Sequence, residues 1–253
     1  MLLDLQRGTD YTVSFSHLEI GFVLTLAFAV AARLMRAVTL GGAIAGAIIS
    51  FVLFVAAGPG AFAALVMVFV LAWITTRMGY ARKQHLGTAE PKEGRRTSQV
   101  LANLGVAGVA GLLSAVAQWR GTTLVLAAAA LAEAAADTVS SECGQALGER
   151  ATLITTWEQV PAGTDGGITL PGTIAGLIAA VVVAGVCFGT KLISLREAGI
   201  AALAAVLGML IDSVLGATLE RRRVLGNDAV NFSSTAAAAV LAYIITWLGF
   251  RVF

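Results

Sequence analysis

Three acidic side chains lie in one largely apolar stretch of the chain, residues 122–146. Glu133, Asp137 and Ser141 follow at four-residue intervals, which places them on one helical face, whereas Glu142 falls five residues after Asp137. An ionised carboxylate deep in a bilayer costs at least about 3 kcal/mol, so such residues usually face a polar interior and mark function. The pattern predicts a functional site, and the alternative is a buried polar cluster that only joins helices.

A second apolar stretch, residues 196–217, carries Asp212 with Ser213 beside it, and small glycines lie four residues to either side. Asp212 and Asp137 are expected at similar depths near one end of the bundle. Because like charges repel, two carboxylates at one depth suit a divalent cation better than each other. The alternative is a protonated aspartate that is hydrogen-bonded between helices.

Two arginines, Arg95 and Arg96, precede a predicted helix start, where Thr97 or Ser98 can cap the helix. A helix N-terminus beside arginines is a favourable anion site. Asn103 falls one turn further on and is expected to face polar groups. The alternative is a basic cluster that only orients the chain in the membrane.

A glycine-rich segment precedes another helix. Glycines let backbone N–H groups approach a phosphate, although the Gly-Lys-Ser/Thr ending of a Walker A loop is absent. The segment is therefore either a phosphate cradle or an ordinary turn. Its residues are Gly163, Thr164, Asp165, Gly166 and Gly167.

A third polar cluster precedes the last apolar stretch. The arginine run is expected to serve both orientation in the membrane and function, and the residues after it form a polar cap where the helix enters the membrane. The cluster contains Arg221, Arg222, Arg223, Asn227, Asp228 and Asn231.

The composition identifies the elements that must position these residues. The chain has 253 residues with 13% charged and 58% hydrophobic side chains, against about 25% charged in soluble domains. It predicts one all-α integral membrane domain over residues 1–253, with about eight transmembrane helices. A net charge of +2 gives no indication of nucleic acid, and we expect none as a partner. The apolar windows are residues 18–34, 38–57, 60–79, 99–119, 122–146, 167–190, 196–217 and 232–250.

Positive charge predicts the orientation of this bundle. With eight spans, the long loops 80–98, 147–166 and 218–231 fall on one side, and that side holds 12 of the 17 lysines and arginines. The excess predicts cytoplasmic loops and both termini outside, in the cytoplasmic membrane. The clusters described above then converge on the cytoplasmic face.

One short segment recurs in the chain. Residues 39–46 read TLGGAIAG and residues 169–176 read TLPGTIAG, and both open a helix that leaves the cytoplasmic side. The repeat is consistent with two parallel four-helix halves. Convergence between helices rich in small residues is the alternative.

Five segments in order, RRTSQVLAN, ADTVSSECG, GTDGGIT, LIDSVLGA and NDAVNF, resemble the motif series of the DUF92 family of integral membrane proteins. That family includes transmembrane protein 19 and phytyl-phosphate kinase-like proteins. The resemblance covers residues 95–232, while the first three helices fit only generally. Ser140 and Cys143 depart mildly from the usual form of the second motif.

The resemblance implies an isoprenoid-phosphate kinase that converts a phytyl-, farnesyl- or geranylgeranyl-type monophosphate to its diphosphate, with CTP as the donor to test first. By analogy, Asp137, Glu142 and Asp212 would hold Mg²⁺, and the clustered arginines and the glycine segment would hold phosphates. Membrane lipid would surround the bundle, and the oligomeric state stays open.

Three alternatives remain at this stage. A lipid-phosphate cytidylyltransferase would use much the same parts, and an isoprenol kinase would act on the alcohol. An ion-coupled transporter would also place acids in the membrane, but it requires polar residues along its whole path. The predicted acids cluster at one end instead.

Overall fold

The computed structural model describes residues 15–251, with side chains up to residue 248, so the predicted outside position of residues 1–14 and 252–253 lies beyond the described residues. Residues 15–251 form a bundle of eight long helices, which confirms the predicted all-α membrane architecture. One short helix, α4, lies in the predicted loop 80–98. The helices are α1 (Phe15–Leu34), α2 (Leu40–Val52), α3 (Pro59–Arg77), α4 (Tyr80–Leu86), α5 (Thr97–Leu113), α6 (Arg120–Leu147), α7 (Leu170–Gly189), α8 (Leu195–Leu215) and α9 (Asn227–Arg251).

Two of these helices end in a π-helical turn. Leu53–Ala57 continues α2 and Gly216–Glu220 continues α8. With these turns, seven helices within residues 15–251 are long and apolar enough to cross a membrane, and the 17-residue α5 is shorter. Helix α8 with its π turn therefore continues to Glu220, three residues beyond the predicted end of the stretch at residue 217. A π turn of this kind often occurs at a functional site because it changes which residues share a face.

Helix α6 is the centre of the bundle. It packs against α3, α5, α7, α8 and α9, and its alanine run from residue 127 to 136 is almost fully buried. Small side chains let helix backbones approach closely in a membrane, where van der Waals packing drives association. The stretch that carries Glu133 and Asp137 is therefore surrounded by other helices on most of its length.

The segment between α6 and α7 is not an irregular loop. Strands β1 (Arg150–Leu153), β2 (Gln159–Pro161) and β3 (Gly167–Ile168) form an antiparallel sheet in the order β2-β1-β3. The predicted helix start at residue 167 is wrong because Gly167 pairs with Leu153 of β1. Helix α7 begins three residues later, after Thr169.

The recurring segment has a common local structure. The hydroxyl oxygens of Thr39 and Thr169 accept from the N–H groups of Gly42 and Gly172, at 3.2 and 3.1 Å, and so cap α2 and α7. The two helices have different neighbours, since α2 packs on α1 and α5 whereas α7 packs on α6, α8 and α3. The shared cap accounts for the sequence similarity, and the two-halves arrangement stays a prediction.

Candidate functional site

A polar cavity of about 390 Å³ opens at the end of the bundle where the three long loops meet. Its wall combines α5, α6, α9 and α8 with its π turn, together with the loops that follow α4 and α6. We call it the polar cavity. Most of the predicted site residues line it: Arg95, Asn103, Asp137, Glu142, Gly163, Thr164, Asp165, Gly166, Gly167, Asp212, Ser213, Asn227 and Asn231.

Asp137 and Asp212 face each other across the packed helices α6 and α8, close enough for their carboxyl groups to interact. The Oδ2 atom of Asp212 is buried and accepts no hydrogen bond. A buried carboxylate oxygen without a partner is costly, and a second carboxylate beside it adds repulsion. A cation between the two carboxylates would offset both costs, and so would a proton shared by the pair.

Glu133 lies beneath this pair, one turn further into α6. It is 0% exposed and neither of its carboxyl oxygens accepts a hydrogen bond. The nearby hydroxyl of Ser234 donates to the carbonyl oxygen of Asn231 at 3.0 Å. Gly208 of α8 packs against Glu133, since a Cβ there would lie 2.7 Å from its Cγ. With Asp137 and Asp212, Glu133 therefore forms a group of three acidic side chains that reaches from the cavity into the packed interior.

Glu142 points away from the aspartate pair. Its Oε2 pairs with the Lys83 Nζ at 2.5 Å, and its Oε1 accepts from the Thr76 hydroxyl at 2.8 Å. Lys83 is 0% exposed and also donates to the carbonyl oxygens of Thr75 and Thr76, at 2.9 and 2.7 Å. The five-residue spacing from Asp137 thus gives Glu142 a different set of neighbours. Its predicted metal-binding role stays a prediction.

Arg95 is held in place through its backbone. Its N–H donates to the carbonyl oxygen of Ala37, and its own carbonyl oxygen accepts from the N–H of Thr39, both at 3.0 Å. Gly94 has a φ of +84° and packs directly on the backbone of Ala37, where a side chain has no room. The guanidinium then reaches the cavity and lies 3.5 Å from the Thr138 hydroxyl. The connection between α1 and α2 therefore fixes Arg95.

Polar side chains of α5 continue the wall beside Arg95. The Nδ2 atom of Asn103 donates to the carbonyl oxygen of Gln99 at 2.8 Å, and the Nε2 of Gln99 donates to Glu90 at 3.1 Å. The Gln99 Oε1 accepts from the N–H of Arg96 at 2.7 Å. This chain of hydrogen bonds orders the start of α5 at the edge of the cavity.

The glycine-rich segment is a tight turn that also lines the cavity. Gly163 and Gly166 have φ values of +87° and +74°, and a side chain at Gly166 would collide with Ala217 in the π turn of α8. The N–H groups of Thr164 and Gly167 donate within the turn, to Pro161 and Thr164. Glycine is therefore required here for the turn and for its contact with α8, whether or not a phosphate binds.

Five of the predicted residues are outside the wall of the polar cavity, and their predicted roles stay predictions. The four arginines in this set are exposed. They are Arg96, Arg221, Arg222, Arg223 and Asp228.

Other polar residues of the wall were not among the predicted site residues. Gln99 and Thr138 lie within the five motif segments. Nothing else in the sequence marked these two residues as part of a site. Glu220 follows Asp212 at an eight-residue interval, which marks it as a candidate. Glu90 carried no signal, because it enters the wall from the loop after α4. Gln145 continues the four-residue spacing of Glu133, Asp137 and Ser141 along α6, and that spacing could have identified it.

The charge of the wall favours a cation. The acids that line it are opposed by one lining arginine, Arg95, since Lys83 is already paired with Glu142. Within residues 15–251, no group of three or more His, Cys, Asp or Glu side chains could hold a metal ion. Mg²⁺ is usually held by one or two carboxylates together with substrate phosphates and water, so the pair Asp137 and Asp212 fits it. The acids are Glu90, Asp137, Glu142, Asp165, Asp212 and Glu220.

Helix starts supply partial positive charge to the same wall. Helices α5, α7 and α9 begin at the cavity, where Gln99, Thr169 and Asn227 line it. The free N–H groups of a first helical turn and the helix dipole favour anions. The cavity therefore combines an acidic wall with helix starts whose partial charge favours anions.

The chain is similar to several known membrane proteins and to one chloroplastic protein. An uncharacterized membrane protein of Methanocaldococcus jannaschii is 31% identical over 210 residues, covering 81% of this chain and 84% of its own length. An uncharacterized membrane protein of Synechocystis is 30% identical over 202 residues, with 77% of each chain covered. The chloroplastic protein VTE6 of Arabidopsis thaliana is 30% identical over 197 residues, covering 74% of this chain and 59% of that protein.

No solved structure matches the fold. The sequence profile described as integral membrane protein DUF92 matches residues 23–239, which include the whole wall of the polar cavity. The chain belongs to the DUF92 family of integral membrane proteins.

Proposed function

We propose that this protein is an isoprenoid-phosphate kinase, which transfers the γ-phosphoryl group of a nucleoside triphosphate to an isoprenoid monophosphate and gives the diphosphate. The observation that carries the proposal is the pair Asp137 and Asp212 beside Arg95, in a cavity at one end of a membrane bundle. The motif resemblance to phytyl-phosphate kinase-like proteins supports the substrate class. CTP is the donor to test first.

The chemistry suits a monophosphate acceptor better than an alcohol. A phosphate monoester is largely a dianion near neutral pH, because its second pKa is about 6. One of its oxygens attacks the γ-phosphorus, the bond from that phosphorus to the β–γ bridging oxygen breaks, and the nucleoside diphosphate leaves. No proton has to be removed from the nucleophile. The described wall contains no histidine to act as a base.

The residues of the wall supply position and charge. Arg95 lies at the edge of the cavity, where its guanidinium binds the acceptor phosphate in a fixed register. The helix starts and the amides of Asn227 and Asn231 bind the donor phosphates opposite. Asp137 and Asp212 would hold Mg²⁺, which neutralises charge that develops on the phosphates.

We also propose that the polar cavity faces the cytoplasm, where nucleoside triphosphates are present. The excess of positive charge on the three long loops supports this orientation. Both native cysteines are buried, so a variant with both replaced by serine and a single Glu158→Cys on the exposed hairpin is a clean reporter. A membrane-impermeant maleimide should label it only after the cells are opened. Labelling in intact cells would reverse the orientation.

The reaction itself is tested with purified protein, Mg²⁺, and farnesol and farnesyl phosphate at equal concentration. CTP is labelled on its γ-phosphorus in one reaction and on its α-phosphorus in another, and ATP, GTP and UTP are run in parallel. We expect γ-label in farnesyl diphosphate and no α-label in lipid. Predominant γ-label in farnesyl monophosphate would make the protein an isoprenol kinase instead.

Two other outcomes would also overturn the proposal. Lipid that carries the α-label, with release of pyrophosphate, would show a cytidylyltransferase. No transfer from any nucleotide, together with ion-dependent uptake into proteoliposomes, would show a transporter. Asp212→Asn protein serves as the negative control for transfer in every reaction.

A further inference from the structure

A second cavity, of about 450 Å³, lies beside the polar cavity and between α1, α2, α3 and α5. Its wall is mostly apolar, and we call it the apolar cavity. Phe28 of α1 forms part of it and packs edge-to-face on Phe69 of α3, with ring centroids 5.1 Å apart. Trp73 lines it one turn further along α3. The cavity is thus lined mainly by hydrocarbon, and Arg36, Arg77, Lys92 and Arg95 also contribute to its wall.

The two cavities share part of their walls. Glu90, Arg95, Gln99 and Asn103 line both. The junction is therefore polar, and it contains the one arginine that lines the polar cavity. A single amphiphilic molecule can place an anionic group on Arg95 and an apolar chain on the other side. A nucleotide alone or a free inorganic ion would leave the apolar side unused.

The space of the apolar cavity exists because side chains are small. Gly42, Ala43 and Gly46 of α2 line it, and Ala29 and Ala32 of α1 face it as well. A Cβ atom built on Gly46 would meet no other atom within 4 Å. The helix at this position therefore borders open volume, so a larger residue would fill the cavity without displacing the backbone.

The cavity is also positioned for entry from the bilayer. Helix α1 packs mainly on α2 and meets α3 through the ring contacts of Phe28. Leu34, at the end of α1, lines the cavity and is 78% exposed. Arg77 bridges α3 to α1 at the rim by donating to the carbonyl oxygen of Met35 at 2.7 Å. We place the entry of a hydrocarbon chain between α1 and α3, between this bridge and the ring contacts of Phe28.

We propose that the apolar cavity binds the single isoprenoid tail of the acceptor, with its phosphate at Arg95, and that the residue at position 46 limits the tail length. The proposal rests on the proposed function for the identity of the headgroup. The tail site itself follows from the continuity of the two cavities.

The kinetic test compares Gly46→Leu with Gly105→Leu. Both glycines are helical and half-exposed, neither would meet a neighbour within 4 Å, and Gly105 lines neither cavity. The measured quantity is the ratio of kcat/KM for geranylgeranyl phosphate to that for isopentenyl phosphate. We expect Gly46→Leu to lower this ratio at least about tenfold and Gly105→Leu to preserve it. An equal ratio in both variants would overturn the proposal.

A binding test does not depend on turnover. A farnesyl phosphate analogue with a diazirine at the tail end is photolysed with the protein in nanodiscs, without nucleotide, and adducts are mapped by mass spectrometry. We expect adducts in residues 28–34 and 65–73, competed by farnesyl phosphate and reduced by Gly46→Leu but not by Gly105→Leu. Adducts scattered over the outer faces, or equal competition by diacyl phosphatidic acid, would overturn the tail site.

The two proposals fail separately in these experiments. Adducts in the apolar cavity that farnesyl phosphate reduces, without phosphoryl transfer from any nucleotide, would support the tail site and contradict the kinase proposal. Transfer to farnesyl phosphate with adducts elsewhere would do the reverse.

Discussion

The polar and the apolar cavity adjoin each other and share four residues, yet they are built in opposite ways. The polar cavity depends on particular polar side chains, such as those of Asp137 and Asp212. The apolar cavity depends largely on small residues that leave space, such as Gly46. Chemistry requires particular polar groups at particular places, whereas a tail requires only room. For this reason the first cavity leaves a motif series in the sequence and the second leaves almost none.

The comparison predicts that the largest losses come from the aspartate pair. Asp137→Asn and Asp212→Asn should each lower kcat/KM about 1000-fold, or about 4 kcal/mol, because each removes one of the charges that hold the metal. Activity should also disappear in EDTA and return with Mg²⁺. Manganese binding, followed by electron paramagnetic resonance in the presence of nucleotide, should be lost in both variants.

The same variants separate a metal site from a packing cluster. Since the two carboxylates repel each other without metal, removing one should leave the thermal unfolding temperature in EDTA unchanged or higher. Glu158→Gln, on the exposed hairpin, is the control and should retain activity. Near-normal activity of either aspartate variant at saturating Mg²⁺, or a loss of folding, would favour the packing interpretation.

The second prediction concerns the link between the two walls. Thr76 lines the apolar cavity and Glu142 lines the polar cavity, and Lys83 binds both. Lys83→Met should destabilise the protein by about 3 kcal/mol, because it leaves a carboxylate buried without its partner. Unfolding in detergent, followed by near-ultraviolet circular dichroism, measures this change.

A double variant tests the coupling. Lys83→Met with Glu142→Gln should be more stable than Lys83→Met alone, because the unpaired charge is gone. Strictly additive losses would mean that the pair contributes nothing as a unit. If Glu142 binds metal as well, Glu142→Gln should lower manganese affinity without a matching loss of stability.

The smallest predicted effect distinguishes two adjacent arginines. Arg95 lines both cavities, whereas the exposed Arg96 lines neither. Arg95→Gln should lower kcat/KM about 100-fold, and Arg96→Gln should lower it less than about tenfold because its charge acts through solvent. Equal losses would mean that the junction between the cavities does not hold the acceptor phosphate.

Some features of the fold could be predicted from the sequence. The eight apolar stretches correspond to the eight long helices, because a helix is how a chain satisfies its backbone hydrogen bonds in lipid. The acids in α6 and α8 could be recognised for a similar reason, since charge in an apolar stretch is costly unless it has a function. The family followed from the order of the motifs. These features depend on residue type and local spacing.

Tertiary structure decided the rest. Glu142 pairs with Lys83 because α4 folds back over the end of α6, and α4 had no apolar pattern to reveal it. Arg95 reaches the cavity because the distant segment around Ala37 holds its backbone, while Arg96 does not. The sequence by itself determined which groups are costly to bury in a membrane, because that cost depends on the group alone. Which of them meet, and where space remains between α1 and α3, depends on contacts between residues that are far apart in the chain.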